Sequence, residues 1–274
     1  MKITLDDLDG IPLDDRQKRA NELLDFFSQF TKYKHGKDNP YLQWLDKRLA
    51  GFYEGTDCKE RDYARGTYGI AGQDVAKFMN FWYPVSRHQP QILLRCAAAL
   101  PDKEEQGRIV IGNYLEEIGL NVKGALAHYT LLEQLMEKVG GNMGGRLNVP
   151  EQAERMVLQY HEIIDRTATN PARATGMLAA IEHPALDISG YFHKLIELAG
   201  MSSLFKKDTY LMIHVDVEPN HIILSHGAAE DYMKRSVKEH EEVLDGFKTT
   251  MQFWEEFWPE AFKTVGYRAN GGHV

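Results

Sequence analysis

The stretch His214-Val-Asp-Val-Glu-Pro-Asn-His221 sets His214, Glu218 and His221 at i, i+4 and i+7. On an α-helix that spacing projects all three side chains from one face. Two imidazoles and a carboxylate on one stripe make half of the donor set of a first-row transition-metal site. The simpler pattern His-x-x-x-Asp/Glu also occurs at His161/Asp165, His193/Glu197 and His226/Glu230. Those three read as surface or packing pairs with i,i+4 electrostatic support. Only the pair at 214 is extended by a second histidine on the same face. It is also flanked by the apolar runs Tyr210-Leu-Met-Ile213 and Ile222-Ile-Leu224, so its donors can face a dry interior.

Two further segments offer partners. Asn113-Tyr-Leu-Glu-Glu-Ile-Gly119, followed by His128, supplies a second carboxylate, Glu117, and a third imidazole. Along an unbroken helix, Glu117 and His128 would stand roughly 16 Å apart. Sharing a metal therefore requires the helix to break between them, and Gly119 and Gly124 bracket the place. Glu182 ends the apolar, small-residue helix Gly176-Met-Leu-Ala-Ala-Ile-Glu182, just before Pro184. A negative charge at a helix C-terminus is disfavoured by the dipole, which favours a cationic partner. The sum is Glu117, His128, Glu182, His214, Glu218 and His221, with Asp216 as a reserve ligand if the helix unwinds locally. Three carboxylates and three imidazoles suit two iron or manganese ions better than structural zinc, which takes four ligands and often thiolates. Cys58 and Cys96 lie near none of these motifs.

The elements that must position these residues are helical almost throughout. Apolar residues recur at helical spacing over 15–31, 41–53, 102–119, 125–139, 150–167, 171–182, 186–200, 207–225 and 228–248. Residues 73–100 read as a helix, a bend near Pro84 or Pro90, and a second helix. Asp102 and Glu105 stand at capping-box spacing at the start of the next helix. Short strands are conceivable only at 147–149 and 210–217, and the aromatic residues Phe253 to Phe262 read as a tail packing back on the bundle. The glycine cluster from Val139 to Gly145 follows a helix rather than a strand, so it is a loop and not a phosphate cradle. These readings predict one all-α domain over 1–274: N-terminal helices to 59, a core bundle over 60–250, and a C-terminal tail over 251–274.

Composition narrows the function. With 43% hydrophobic and 26% charged residues in 274, the chain can bury a sizeable core. A net charge of −8, with no basic run longer than Lys206-Lys207, argues against nucleic acid as a partner. Two cysteines are too few for a disulfide framework, which points to a reducing cytoplasm, and no apolar run is long enough for a membrane span.

In order and context the segments resemble those of the haem-oxygenase-like di-iron oxidases, the iron-containing redox enzymes of TenA/PqqC-like fold. The family pattern runs Asn-x-x-x-Glu-x-Gly, a later His, a Glu closing a Gly/Ala-rich helix, then His-x-Asp/Glu-x-Asp/Glu-x-x-His. Here these are Asn113 to Gly119, His128, Glu182, and His214-Asp216-Glu218-His221. The segment Trp82 to Pro90 also looks like the family's second core helix. The interval from Glu117 to His128 is longer than in many members, and Pro219 after Glu218 is a further departure. The resemblance covers roughly residues 60–250.

The resemblance implies a haem-oxygenase-like bundle of about seven core helices holding two Fe(II) ions rather than haem, with O2 as co-substrate. It implies a cytoplasmic, homodimeric enzyme that oxidises a small molecule in biosynthesis, an amino acid or related amine or carboxylate, with an external electron donor. Arg87 is the candidate anchor for a substrate carboxylate. The rivals are a metal-independent TenA/PqqC-like enzyme on the same fold and a non-enzymatic all-α binding protein. A ferritin-like protein would need two Glu-x-x-His motifs, and this chain has one, Glu218-Pro-Asn-His221. Pro219 removes a helix hydrogen bond and biases Glu218 away from α geometry, predicting a bend or bulge there that orders on metal binding.

Overall fold

The computed structural model describes residues 8, 10–54, 68–100, 105–120, 125–140, 148–206 and 208–268, without the side chains of Glu105, Val215 and Asp216. Among these residues there are ten α-helices and no strand. They are α1 (Leu13–Ser28), α2 (Pro40–Glu54), α3 (Gly72–Ala98), α4 (Glu105–Glu117), α5 (His128–Gly140), α6 (Glu151–Thr167), α7 (Pro171–Glu182), α8 (Ala185–Leu198), α9 (Thr209–Met233) and α10 (Val237–Lys263). Asp102, Cys58 and most of the glycine cluster after Val139 lie outside the described residues.

The centre of the bundle is α7, buried from Ala172 to Glu182. Its residues are small and apolar on every side, the pattern of a helix enclosed by others. Asn170 caps it by accepting from Arg173 N, and Pro171 occupies the first turn, where its missing N–H costs nothing. The long helix α10 lies directly against it. A Cβ at Gly176 would sit 2.0 Å from Val243 O, and one at Gly246 would sit 2.3 Å from Arg173 O. Any larger residue at these two positions would push the helices apart, and Glu182 would move with α7. On the other sides α9 packs against α7, α1 and α8, while α3 packs against α4, α5 and α6.

Several boundaries differ from those the periodicity predicts. Residues 210–217 are helical, so the alternative strand there is excluded. Helix α3 runs through Pro84 and Pro90 as one element, where a bend between two helices was expected. Each proline removes one hydrogen bond and costs roughly 3 kcal/mol in an isolated helix. Burial of Phe81, Trp82, Tyr83 and Val85 on the same segment offsets this, each side chain contributing about 1.5–3 kcal/mol. Helix α9 continues through Gly227 to Met233, and α10 continues to Lys263. The residues read as a tail, Phe253 to Phe262, are therefore the second half of a helix, and Phe253, Trp254, Phe257, Trp258 and Phe262 are buried. The real break between α9 and α10 is at Ser236, which accepts from Glu239 N while its hydroxyl donates to the Glu239 carboxylate.

Candidate metal centre

Helix α9 starts at Asp208, whose side chain accepts from the amides of Tyr210 and Leu211 and is itself held by Lys138 at 2.7 Å. From that cap the helix carries His214, Glu218 and His221 on one face. No break occurs at Glu218: residues 209–233 form one continuous helix through Pro219. The expected bulge is absent, and so is the unwinding that would swing Asp216 towards the site. The side chain of Asp216 is outside the described atoms. Pro219 does leave the carbonyl of Val215 without its helical donor, inside the motif.

The interruption required between Glu117 and His128 is present. Gly119 takes φ +72°, its N–H bonds to Glu116 O at 2.9 Å, and Leu120 N bonds to Leu115 O at 2.8 Å. This Schellman closure ends α4 one residue after Glu117. The chain then returns so that α5 begins at His128, and Glu117 Oε1 comes within 3.3 Å of His128 Nδ1. A Cβ at position 119 would lie 2.6 Å from the backbone of Leu126, so only glycine fits this turn.

Glu117, His128, Glu182, His214, Glu218 and His221 all line one small cleft of about 50 Å³. Glu182, Glu218 and His221 each offer a donor atom within 4.8 Å of the others. His221 Nδ1 stands 3.7 Å from Glu218 Oε2 and 3.9 Å from Glu182 Oε2. On the other side, the His128 and His214 rings are 5.1 Å apart, and His214 Nε2 is 3.9 Å from Glu218 Oε1. Glu218 thus lies between the pair Glu182/His221 and the triad Glu117/His128/His214, with one oxygen towards each. His214 Nδ1 donates to Tyr210 O at 2.6 Å, which leaves Nε2 as the free donor facing the cleft.

Glu116 is the member that the sequence reading passed over. Its Oε2 lies 3.1 Å from His221 Nε2, leaving Nδ1 of that ring towards Glu182 and Glu218. A carboxylate behind an imidazole is the usual support for a metal-ligating histidine. The available signal was its place beside Glu117 in the last turn of α4, where a second negative charge is equally disfavoured by the dipole. Arg87, in contrast, is exposed on α3 and does not reach the cleft, although Ser86 and Gln89 beside it do. The role expected of it as a carboxylate anchor is not supported by this placement.

The electrostatics describe a cage built for cations. Burial raises Glu182, and repulsion from Glu218, Glu117 and Glu116 outweighs the attraction of His221, so its carboxyl is pushed up to about 8. Burial opposes charge on His221, but the hydrogen bonding it donates to Glu116 and Glu218 and the field of Glu182 raise it well above the ordinary imidazole range. Burial likewise opposes charge on His128, and Glu117 overcomes it. Glu116 and Glu117 stay low because nearby imidazoles outweigh their desolvation. His214, enclosed beside His128, is lowered by burial.

The residues fit divalent metal. Glu182 and Glu218 are buried and Glu116 and Glu117 partly so, and three of these four carboxylates close helix C-termini, the ends that attract cations. Nδ1 of His128 is buried, and its one near acceptor, Glu117 Oε1 at 3.3 Å, stands outside good hydrogen-bond geometry, which suits both atoms to a shared cation.

A family model described as iron-containing redox enzyme matches residues 76–255, which span every residue of the cluster. The chain belongs to that family. Two solved structures share the fold. Both are of a CADD-like protein of unknown function from Nostoc punctiforme. One superposes with a TM-score of 0.63 at 16% identity, covering 92% of this chain and 99% of the other. The second gives a TM-score of 0.59 at 13% identity, covering 95% and 99%. No curated protein matches the sequence. This member of the iron-containing redox enzyme family has the all-α, haem-oxygenase-like architecture, and no described helix is long and apolar enough to cross a membrane.

Proposed function

We propose that this chain is a non-haem di-iron oxidase or oxygenase that uses O2 to oxidise a small amine or amino-acid-derived molecule in a biosynthetic pathway. The single observation that carries the reading is the convergence of Glu117, His128, Glu182, His214, Glu218 and His221, from four separate helices, on one buried cleft. The family model supports iron as the metal. Reduced iron, when bound, supplies the chemistry that activates O2. The chain's own contribution is to hold that chemistry in place. Glu218, with one oxygen towards His214 and the other towards His221, would hold iron together with these histidines. His214 and His221 are oriented by Tyr210 O and by Glu116. Glu182 gives up its proton as the cations enter.

The cleft also indicates how substrate is held. Trp82, Ile181, Ile188 and Trp254 form its apolar wall, with Ser86 and Gln89 as neutral polar groups. No Lys or Arg is among its described lining residues. A substrate body of apolar or aromatic character, oriented by one or two neutral hydrogen bonds, matches this lining. Any carboxylate or amine on it must then address the metals. Turnover would draw electrons from an external donor.

The test is anaerobic loading with Fe(II), followed by metal analysis and rapid mixing with O2. About two irons per chain and a transient visible absorption band are expected. Iron-free protein whose His214→Ala variant keeps full activity would remove the reading in favour of a metal-independent enzyme on the same fold.

A further inference from the structure

The chain has four tryptophans, and three of them form one stack that begins at the metal-centre cleft. Trp82 and Trp254 line the cleft together with Tyr210. Trp82 Nε1 donates to Tyr210 Oη at 3.3 Å, and the Tyr210 ring lies 4.2 Å from that of His214. Trp82 is stacked with Trp258 at 5.5 Å and 15°, and Trp254 stacks on both at 6.0 and 5.8 Å. From Trp258 the next ring is Tyr191 at 5.1 Å, then Tyr41 at 6.2 Å, then Tyr267 at 5.0 Å. Tyr210, Trp82, Trp258, Tyr191 and Tyr41 are buried, whereas Tyr267 is partly open to solvent.

We infer that this row of oxidisable rings is an escape route for oxidising equivalents, running from the metal centre to Tyr267. The inference rests on the proposed oxygen chemistry. Indoles and phenols yield an electron only to a strong oxidant, so the row is silent towards a resting metal site. It conducts when O2 has been activated and no substrate is in the cleft. Each step moves one electron inwards: a ring loses it to the oxidised neighbour nearer the centre, and the vacancy moves outwards by one ring. Three stacked indoles near the centre share the positive charge of a tryptophan radical cation.

Beyond Trp258 the carriers are phenols, which must also release a proton. Tyr191 Oη is 3.1 Å from Tyr33 Oη, and Tyr33 donates to Asp187 Oδ2 at 2.8 Å. The proton lost by Tyr191 thus passes to Tyr33 as that of Tyr33 passes to Asp187, and it returns when Tyr267 refills the electron through the Tyr41 ring, which lies between them and is not itself oxidised. At Tyr267 the proton goes to water, and a soluble thiol or ascorbate-class reductant restores the electron. Trp44 sits beside the exit at 5.6 Å, but the Arg48 guanidinium lies 5.0 Å from its ring and disfavours a second positive charge there.

Two measurements test the route. The first uses iron-loaded protein without substrate, exposed repeatedly to O2 and mapped by peptide mass spectrometry. Oxidation is expected at Tyr267 and to fall to the O2-free background in Trp82→Phe and in Trp258→Phe, each checked for native circular dichroism. Tyr53 and Tyr68 are 51% and 41% exposed and lie off the row. Equal marking of these two, or unchanged marking of Tyr267 in both variants, would show a diffusing oxidant and overturn the inference. The second measurement uses no metal, so it stands or falls separately from the di-iron reading. A ruthenium photo-oxidant is tethered in a K47C/W44F/C58S chain, beside the exit. After a flash, an indole radical should appear by transient absorption and be absent when Trp258→Phe is added. Its persistence in that variant, or no indole radical in the parent, would sink the route.

Discussion

Two buried histidine groups lie side by side in this bundle and have opposite characters. His221 sits among Glu116, Glu182 and Glu218 and is raised well above the ordinary range. His183 follows Glu182 directly, and His226 lies on the same helix as His221, yet these two pair with each other at 3.0 Å. Burial pushes His226 down to about 3, and burial with His226 and His35 as neighbours holds His183 well below the usual value. Their other partners include the hydroxyls of Ser28 and Ser225 and the Ile222 backbone, and the rings of Phe27 and Phe247 close around them edge-on. Both groups are equally dry. The difference is the presence of carboxylates: an imidazole surrounded by them becomes part of a charged, metal-ready cage, and one surrounded by hydroxyls and phenyl rings stays neutral and structural.

The largest expected effect separates the two groups outright. His221→Ala should lower iron affinity by more than ~100-fold, read as iron per chain after desalting, because it removes a donor common to the tightest triad. Next comes Glu116→Gln, which keeps every ligand but removes the carboxylate behind His221. A loss of about 10–100-fold in iron affinity is expected, and an unchanged affinity would show that Glu116 only fills space.

In the neutral pair, His226→Gln should leave iron content untouched while costing about 1–3 kcal/mol in denaturant unfolding, since it disturbs a buried hydrogen-bonded chain. Iron loss in that variant would erase the distinction between the groups. The smallest effect is in pH dependence. Glu182 has a folded value raised to about 8, so the metal-free fold holds its proton more tightly than the unfolded chain does. Its contribution is fully present below the ordinary carboxylate range and is lost as pH rises towards 8. Stability of the metal-free protein should therefore fall through that window by up to about 1.4 kcal/mol per pH unit, and Glu182→Gln should flatten the slope. Proton release on Fe(II) uptake in weak buffer should shrink in the same variant.

Much of the site was legible because its spacing is local. The i, i+4, i+7 stripe on α9, Glu182 at the end of an apolar helix, and Gly119 as a helix stop follow from residue type and helical period. Glu116 was missed because two adjacent glutamates on a helix point some 100° apart, and only the position of α9 shows which ring each faces. Arg87 was misplaced for the same reason: Ser86 and Gln89 face the cleft, and Arg87 faces solvent. Pro84, Pro90, Pro219 and Gly227 read as breaks, because propensity is local while the burial that overrides it is not.

By itself the sequence determined the helical class, the six candidate ligands and the glycine that turns α4 back towards α5, since each depends on chemistry within a few residues. Only the tertiary structure decided which partners the three histidines on α9 meet. His214 and His221 meet carboxylates carried by α4 and α7, while His226, one turn further, meets His183 and two phenyl rings. That choice depends on contacts across about a hundred residues of chain, set by the close approach of α7 and α10 at Gly176 and Gly246 and by the packing of α9 against α7.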